Sequence, residues 1–180
     1  MKAIVKGALV GGFIAFIWVN ISWMILPWHQ LTISSVPDEE ATRTALRTQI
    51  PESGLYILPW SNDKSQQEAT RNKVEEGPFA YMVVHPRGVE MNMSKMMILG
   101  LLSNIFIAAI LSLLLNMTSG LGYIRRVGFV KTAAIAGSLV VVMPNLIWWH
   151  FPIGQAVVTI VDTGFTWGFA GMAIAKFVKD

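Results

Sequence analysis

Four stretches of the chain, Gly7 to Pro27, Met96 to Met117, Thr132 to Trp149 and Ile153 to Ala175, are apolar almost throughout. Each is close to the roughly 20 residues that a helix needs to cross the hydrocarbon of a bilayer. An apolar run of that length predicts a membrane-spanning helix, because a helix satisfies its own backbone polar groups in lipid. The pattern between the first two runs is different. "SSVPDEEATRTALRTQIP" offers Ser35 as an N-cap, Pro37 and three acidic residues in a first turn, and Pro51 as a stop, which predicts a helix of about three turns. "GLYILPW" and "PFAYMVVHP" read as two short strands separated by the polar "SNDKSQQEATRNKVEEG". The expected fold class is an all-α membrane protein: a four-transmembrane-helix bundle with a small α+β extracytoplasmic cap between helices one and two. Residues 1–27 form the first span, 28–94 the periplasmic loop domain and 95–180 the remaining three spans.

Charge orients this arrangement. Lys2 and Lys6 precede the first run, Arg125, Arg126 and Lys131 separate the second from the third, and Lys176 and Lys179 follow the fourth. In a four-span chain these seven cations share one side, so the positive-inside rule places both termini in the cytoplasm. The long loop, with nine acidic and six basic residues between Trp28 and Ser94, falls on the other side. The first run is read as an anchor, since it exceeds the length of a signal-peptide core and "LPWHQLTISS" offers no small-x-small cleavage site. Trp23, Trp28, Trp148 and Trp149 gather at the outer ends of runs one and three, as an aromatic belt does.

Composition agrees: 53% of the 180 residues are apolar and 14% charged, with a mean hydropathy of +0.52. The absence of cysteine excludes disulfides, thiolate metal sites and a cysteine nucleophile. The basic pI of 9.3 comes from residues scattered at the ends of apolar runs, which is no nucleic-acid footprint.

Polar residues inside the runs carry what chemistry there is. Gly100, Asn104, Ala108, Ser112 and Asn116 recur every four residues in the second run. Gln155, Thr159, Asp162, Thr166, Ala170 and Ala173 form a similar face in the fourth. Such stripes face other helices. With Asn20 and Asn145 from runs one and three, each span places one strongly polar group roughly 9 to 14 Å inward from its outer end. Asp162, Asn20, Asn104 and Asn145 are thus the candidate ligand-binding residues, with asparagine amides as the expected partners of the carboxylate. Pro144 removes a backbone bond beside Asn145 and would leave the Val140 carbonyl as a further acceptor. The Gly7–Gly11 and Gly164–Gly168 pairs read as close helix contacts.

The outer histidines set an alternative. Paired imidazoles from His29 and His150 would suit a haem or, with Asp162, a metal. His85 with Met91, Met93, Met96 and Met97 would suit copper(I). Against this, His29 and His150 lie at belt level, where histidine is an ordinary interfacial residue, and a methionine-rich helix entry is ordinary adaptable packing. No cofactor is expected, and replacing both histidines is expected to leave a stable protein. No serine or threonine has a base and acid at motif spacing, and no carboxylates pair for catalysis.

At "SGLYILP", "GPFAYMVVHPRG" and "PNLIWWHFP" the chain resembles small bacterial four-span inner-membrane proteins. The resemblance implies a bacterial inner membrane and the same order of spans; it implies no activity, cofactor or site. The expected function is non-enzymatic: an accessory or oligomeric interaction subunit that contacts a membrane-protein partner or itself. The alternative is an intramembrane small-ligand, metal, haem or proton-handling protein built on the polar layer around Asp162.

Overall fold

The computed structural model describes residues 1–179. Four of its helices are long and apolar enough to cross a membrane: α1 (Lys2–Met24), α4 (Met93–Asn116), α5 (Tyr123–Trp148) and α6 (Ile153–Phe177). Between the first two lie α2 (Glu39–Gln49), β1 (Gly54–Leu58), α3 (Gln67–Glu76) and β2 (Ala80–Val84). The chain divides into two compact units, residues 35–91 forming one and the long helices with residues 1–34 forming the other. The segment from Trp28 to Ser34, assigned by sequence to the loop domain, therefore travels with the helices.

Helices α1 and α6 are the inner pair of the helical unit: α1 packs against α4 and α6, and α5 packs mainly on α6. Small residues allow this. Gly7, Ala8, Gly11, Gly12 and Ala15 are all buried along α1. A Cβ at Gly12 would stand 2.4 Å from the Ile105 Cα on α4, and one at Gly11 would stand 2.6 Å from the Ile174 side chain on α6. Ala108 and Ser112 of the α4 stripe, and Asp162, Thr166 and Ala170 of the α6 stripe, are buried as the periodicity predicts. The core joins Ala15, Ala108, Leu111, Leu115, Val130, Trp167, Ala170 and Ile174. The second glycine pair behaves differently: Gly164 and Gly168 receive the aliphatic stem of Lys131.

Two boundaries differ from expectation. Helix α5 begins at Tyr123, nine residues before the apolar run, so Arg125, Arg126 and Lys131 are helical rather than in a connecting loop. Arginine and lysine are good helix formers, and their stems can cover apolar surface while the charge reaches outward. The α2 helix is capped by Asp38, whose carboxylate accepts a bond from the Ala41 N–H at 2.9 Å, rather than by Ser35. A cap bonds the N–H two or three residues on, and Ser35 is too far upstream to reach the first helical turn. The strands form as predicted, antiparallel, with Leu55 opposite Val83 and Tyr56 opposite Met82. At the turn before α3, Asp63 accepts a bond from the Ser65 N–H, which holds its carboxyl below the ordinary value.

Candidate functional site

Asp162 sits nine residues into α6, about 13 Å along its axis. The residue is buried, with its side chain 11% exposed. Neither partner is an asparagine. The Trp18 indole N–H donates to Oδ1 at 2.8 Å, and the His29 Nε2 lies 3.2 Å from Oδ2.

His29 reaches this depth because the chain reverses after α1. Pro27 cannot continue the helix, and the residues behind it fold back along its last turn. Trp28 Nε1 then donates to the Ser22 hydroxyl at 2.9 Å, and that oxygen is 3.0 Å from His29 Nε2. The imidazole is 6% exposed and stacks on Trp23, with ring centroids 3.9 Å apart and planes within 9°. A second tie follows: the Thr32 hydroxyl bonds the His29 carbonyl and lies 3.2 Å from the Gln155 side-chain oxygen of α6. Trp18, Trp28, Phe165 and Phe169 surround the polar groups, with Trp18 and Phe169 centroids 4.8 Å apart. His29 is therefore not an ordinary belt residue but the link between the loop and α6.

The other predicted residues lie elsewhere in the packing. Asn20 and Asn104 donate to carbonyls one turn back on their own helices, at Phe16 and Gly100, with bonds of 2.7 and 2.8 Å. Asn145 is half-buried on α5, and its carbonyl accepts bonds from the Trp149 and Phe151 N–H groups where the chain turns toward α6. Pro144 is exposed and Val140 is 74% exposed, so this part of α5 adds no acceptor to a packed polar layer. His150 is exposed, with a φ of +54° in the α5–α6 turn. Among the described residues no three His, Asp or Glu side chains come together as a metal-ligand group.

Sequence reasoning missed Trp18, Ser22 and Trp28. The signal available was spacing: Trp18 and Ser22 are four apart and share one face of α1. Asn20, two residues from each, turns about 200° away from both.

Chemically the cluster is a closed set of bonds. Ser22, His29 and Asp162 have the residue types of a hydrolytic triad, but not its geometry. A triad histidine meets the nucleophile through one ring nitrogen and the acid through the other. Here both oxygens address Nε2, and the serine oxygen already accepts the Trp28 N–H. The arrangement fixes the loop to α1 and α6. Replacing His29 by alanine should therefore destabilise the protein by roughly 1 to 3 kcal/mol, since a buried acceptor and hydroxyl lose their partner. Thermal denaturation in detergent measures this, and an unchanged midpoint would restore the belt reading.

The unit formed by residues 35–91 has a separate feature. Arg43 and Arg47 of α2, His85 and Arg87 after β2, and the side chains of Leu46 and Val83 line an open cavity of about 770 Å³. Three of the four arginines between residues 35 and 91 meet there, although the segment as a whole is acidic.

No protein-family model, curated protein or solved structure matches this chain.

Proposed function

We propose that the protein is a non-enzymatic multi-pass subunit of a bacterial inner membrane, and that residues 35–91 form a periplasmic docking unit for a partner polypeptide. The observation that carries this is the incompleteness of that unit. Its two-stranded sheet is apolar on both faces, with Leu55, Ile57, Tyr81 and Val83 on one and Tyr56, Leu58, Met82 and Val84 on the other. Yet Val84 is the single buried residue between 35 and 91, and Leu55, Leu58, Trp60 and Val83 are each more than half exposed. An isolated two-stranded sheet is marginal in water, and both of its strands are unpaired edges. An added strand would supply main-chain bonds and cover apolar surface. The arginine-lined cavity beside β2 selects an acidic segment.

The chain lacks cysteine, so single cysteines report position cleanly. Leu55→Cys and Val83→Cys, carrying a short photocrosslinker in intact cells, should each yield one adduct that Arg47→Glu abolishes, while Ser65→Cys yields none. Equal labelling at all three positions, or adducts indifferent to Arg47→Glu, would reject the docking unit. An adduct of twice the chain's mass identifies a second copy as the partner.

The orientation rests on the seven basic residues at one end of the spans. An impermeant thiol reagent should label Ser65→Cys but not Ser119→Cys in intact cells; the reverse pattern overturns it.

A second reading is favoured by the Asp162–His29 pair. A buried carboxylate on α6 and a buried imidazole from the turn after α1, 3.2 Å apart, are a two-group relay for a proton.

A further inference from the structure

At the opposite end of the long helices from His29, the end of α4, the start of α5 and the end of α6 enclose a smaller cavity of about 270 Å³. Its walls carry Asn116, Ser119, Arg126 and Lys179, and Leu115 and Val178, each 2% exposed, form its apolar floor. Thr118 also lines it, but its hydroxyl is already committed to the Leu115 carbonyl at 2.7 Å. No acidic side chain lines it among the described residues. Arg126 is part-exposed and lines the cavity, and its Nε is buried behind that lining without a hydrogen-bond partner. A buried unmet guanidinium donor is costly, and phosphate oxygens match its fork geometry.

We infer that this cavity binds a phosphate group, with Arg126 as its principal ligand and Lys179, Ser119 and Asn116 completing the contact. The favoured source is the headgroup of an anionic phospholipid. The cavity lies where three spans end, its floor is aliphatic, and Met117 and Ile124 beside it are 82% and 77% exposed, giving acyl chains a surface to follow. Seven basic residues attract anionic lipid to that end of the helices, at about 1 kcal/mol per cation near the surface. The inference is independent of the docking unit and requires only that the four helices cross a membrane.

The test uses the full chain in mild detergent with equal amounts of phosphatidylglycerol and phosphatidylcholine, read by native mass spectrometry. Wild type should retain one phosphatidylglycerol in clear preference to phosphatidylcholine. Arg126→Gln should reduce that retention about tenfold or more, as expected for a lost charge-assisted bond. Lys179→Gln, at an exposed position beyond the end of α6, should reduce it by a smaller factor and decides the matter if Arg126→Gln does not fold. Saturating inorganic phosphate should leave the lipid in place. Displacement of the lipid, with calorimetric binding of phosphate to wild type but not Arg126→Gln, would keep the site and assign it to a soluble phosphate. Equal retention of both lipids without phosphate binding, or wild-type retention in both variants, would overturn the inference.

Discussion

Asp162→Leu should lower the stability of the protein by roughly 1 to 3 kcal/mol, because the part-buried Trp18 indole N–H and the buried His29 Nε2 lose their carboxylate partner at once and leucine offers nothing in return. The Trp18 indole and the His29 imidazole both depend on that carboxylate. The loss should spread to the loop, exposing the stretch from Ile25 to Ser34 to protease. Asp162→Asn should behave otherwise. Its amide oxygen can accept from Trp18, and its NH₂ can donate to His29 Nε2 once the imidazole carries its proton on Nδ1. A stable Asn variant that complements a deletion strain identifies the cluster as a structural clasp. Wild-type melting with lost complementation would instead favour the proton relay, since ionisation is the property removed. An Asp162→Leu protein that melts with wild type would refute the bonding scheme altogether.

Gly12→Ala should have an effect of similar size from a single methyl group. The added Cβ would meet the Ile105 Cα at 2.4 Å and its N at 2.7 Å, both backbone atoms of a helix that cannot yield locally. Helices α1 and α4 must separate, at roughly 1 to 3 kcal/mol for an overpacked contact. Gly11→Ala would clash with side-chain atoms of Ile174 rather than with backbone, the Ala170 carbonyl staying at an ordinary 3.5 Å, and should cost less. Gly100→Ala finds its nearest neighbour at 3.7 Å, an ordinary contact, and should be neutral or slightly stabilising through helix propensity. Detergent denaturation midpoints should follow that order. Equal midpoints for Gly12→Ala and Gly100→Ala would contradict the close approach.

The long helices were legible because span length and apolarity are properties of contiguous residues. The inward faces of α4 and α6 were legible too, since periodicity places Ala108 with Ser112 and Asp162 with Thr166 whatever the helices pack against. The partners of Asp162 were not. Asparagine within a helix can bond the carbonyl one turn back, so Asn20 and Asn104 needed no interhelical partner. Finding His29 required the reversal after Pro27, which depends on Ser22 and Asp162 being close in space while 140 residues apart in sequence. The start of α5 was missed for a different reason: hydropathy marks where lipid begins, whereas the helix continues through Arg126 and Lys131 beyond it.

The place of α1 between α4 and α6 has a consequence for biogenesis. Helix α1 is made before α4 and α6, the helices its two faces pack against, and Trp18 is separated from Asp162 by 144 positions. At about 5 to 20 residues per second, roughly 7 to 29 seconds of translation pass between them. Throughout that interval the glycine face of α1 and the Trp18 indole lack the partners they meet in the folded protein. Only when the fourth helix is complete can Asp162 meet Trp18 and His29, so the clasp is among the last contacts that synthesis makes possible.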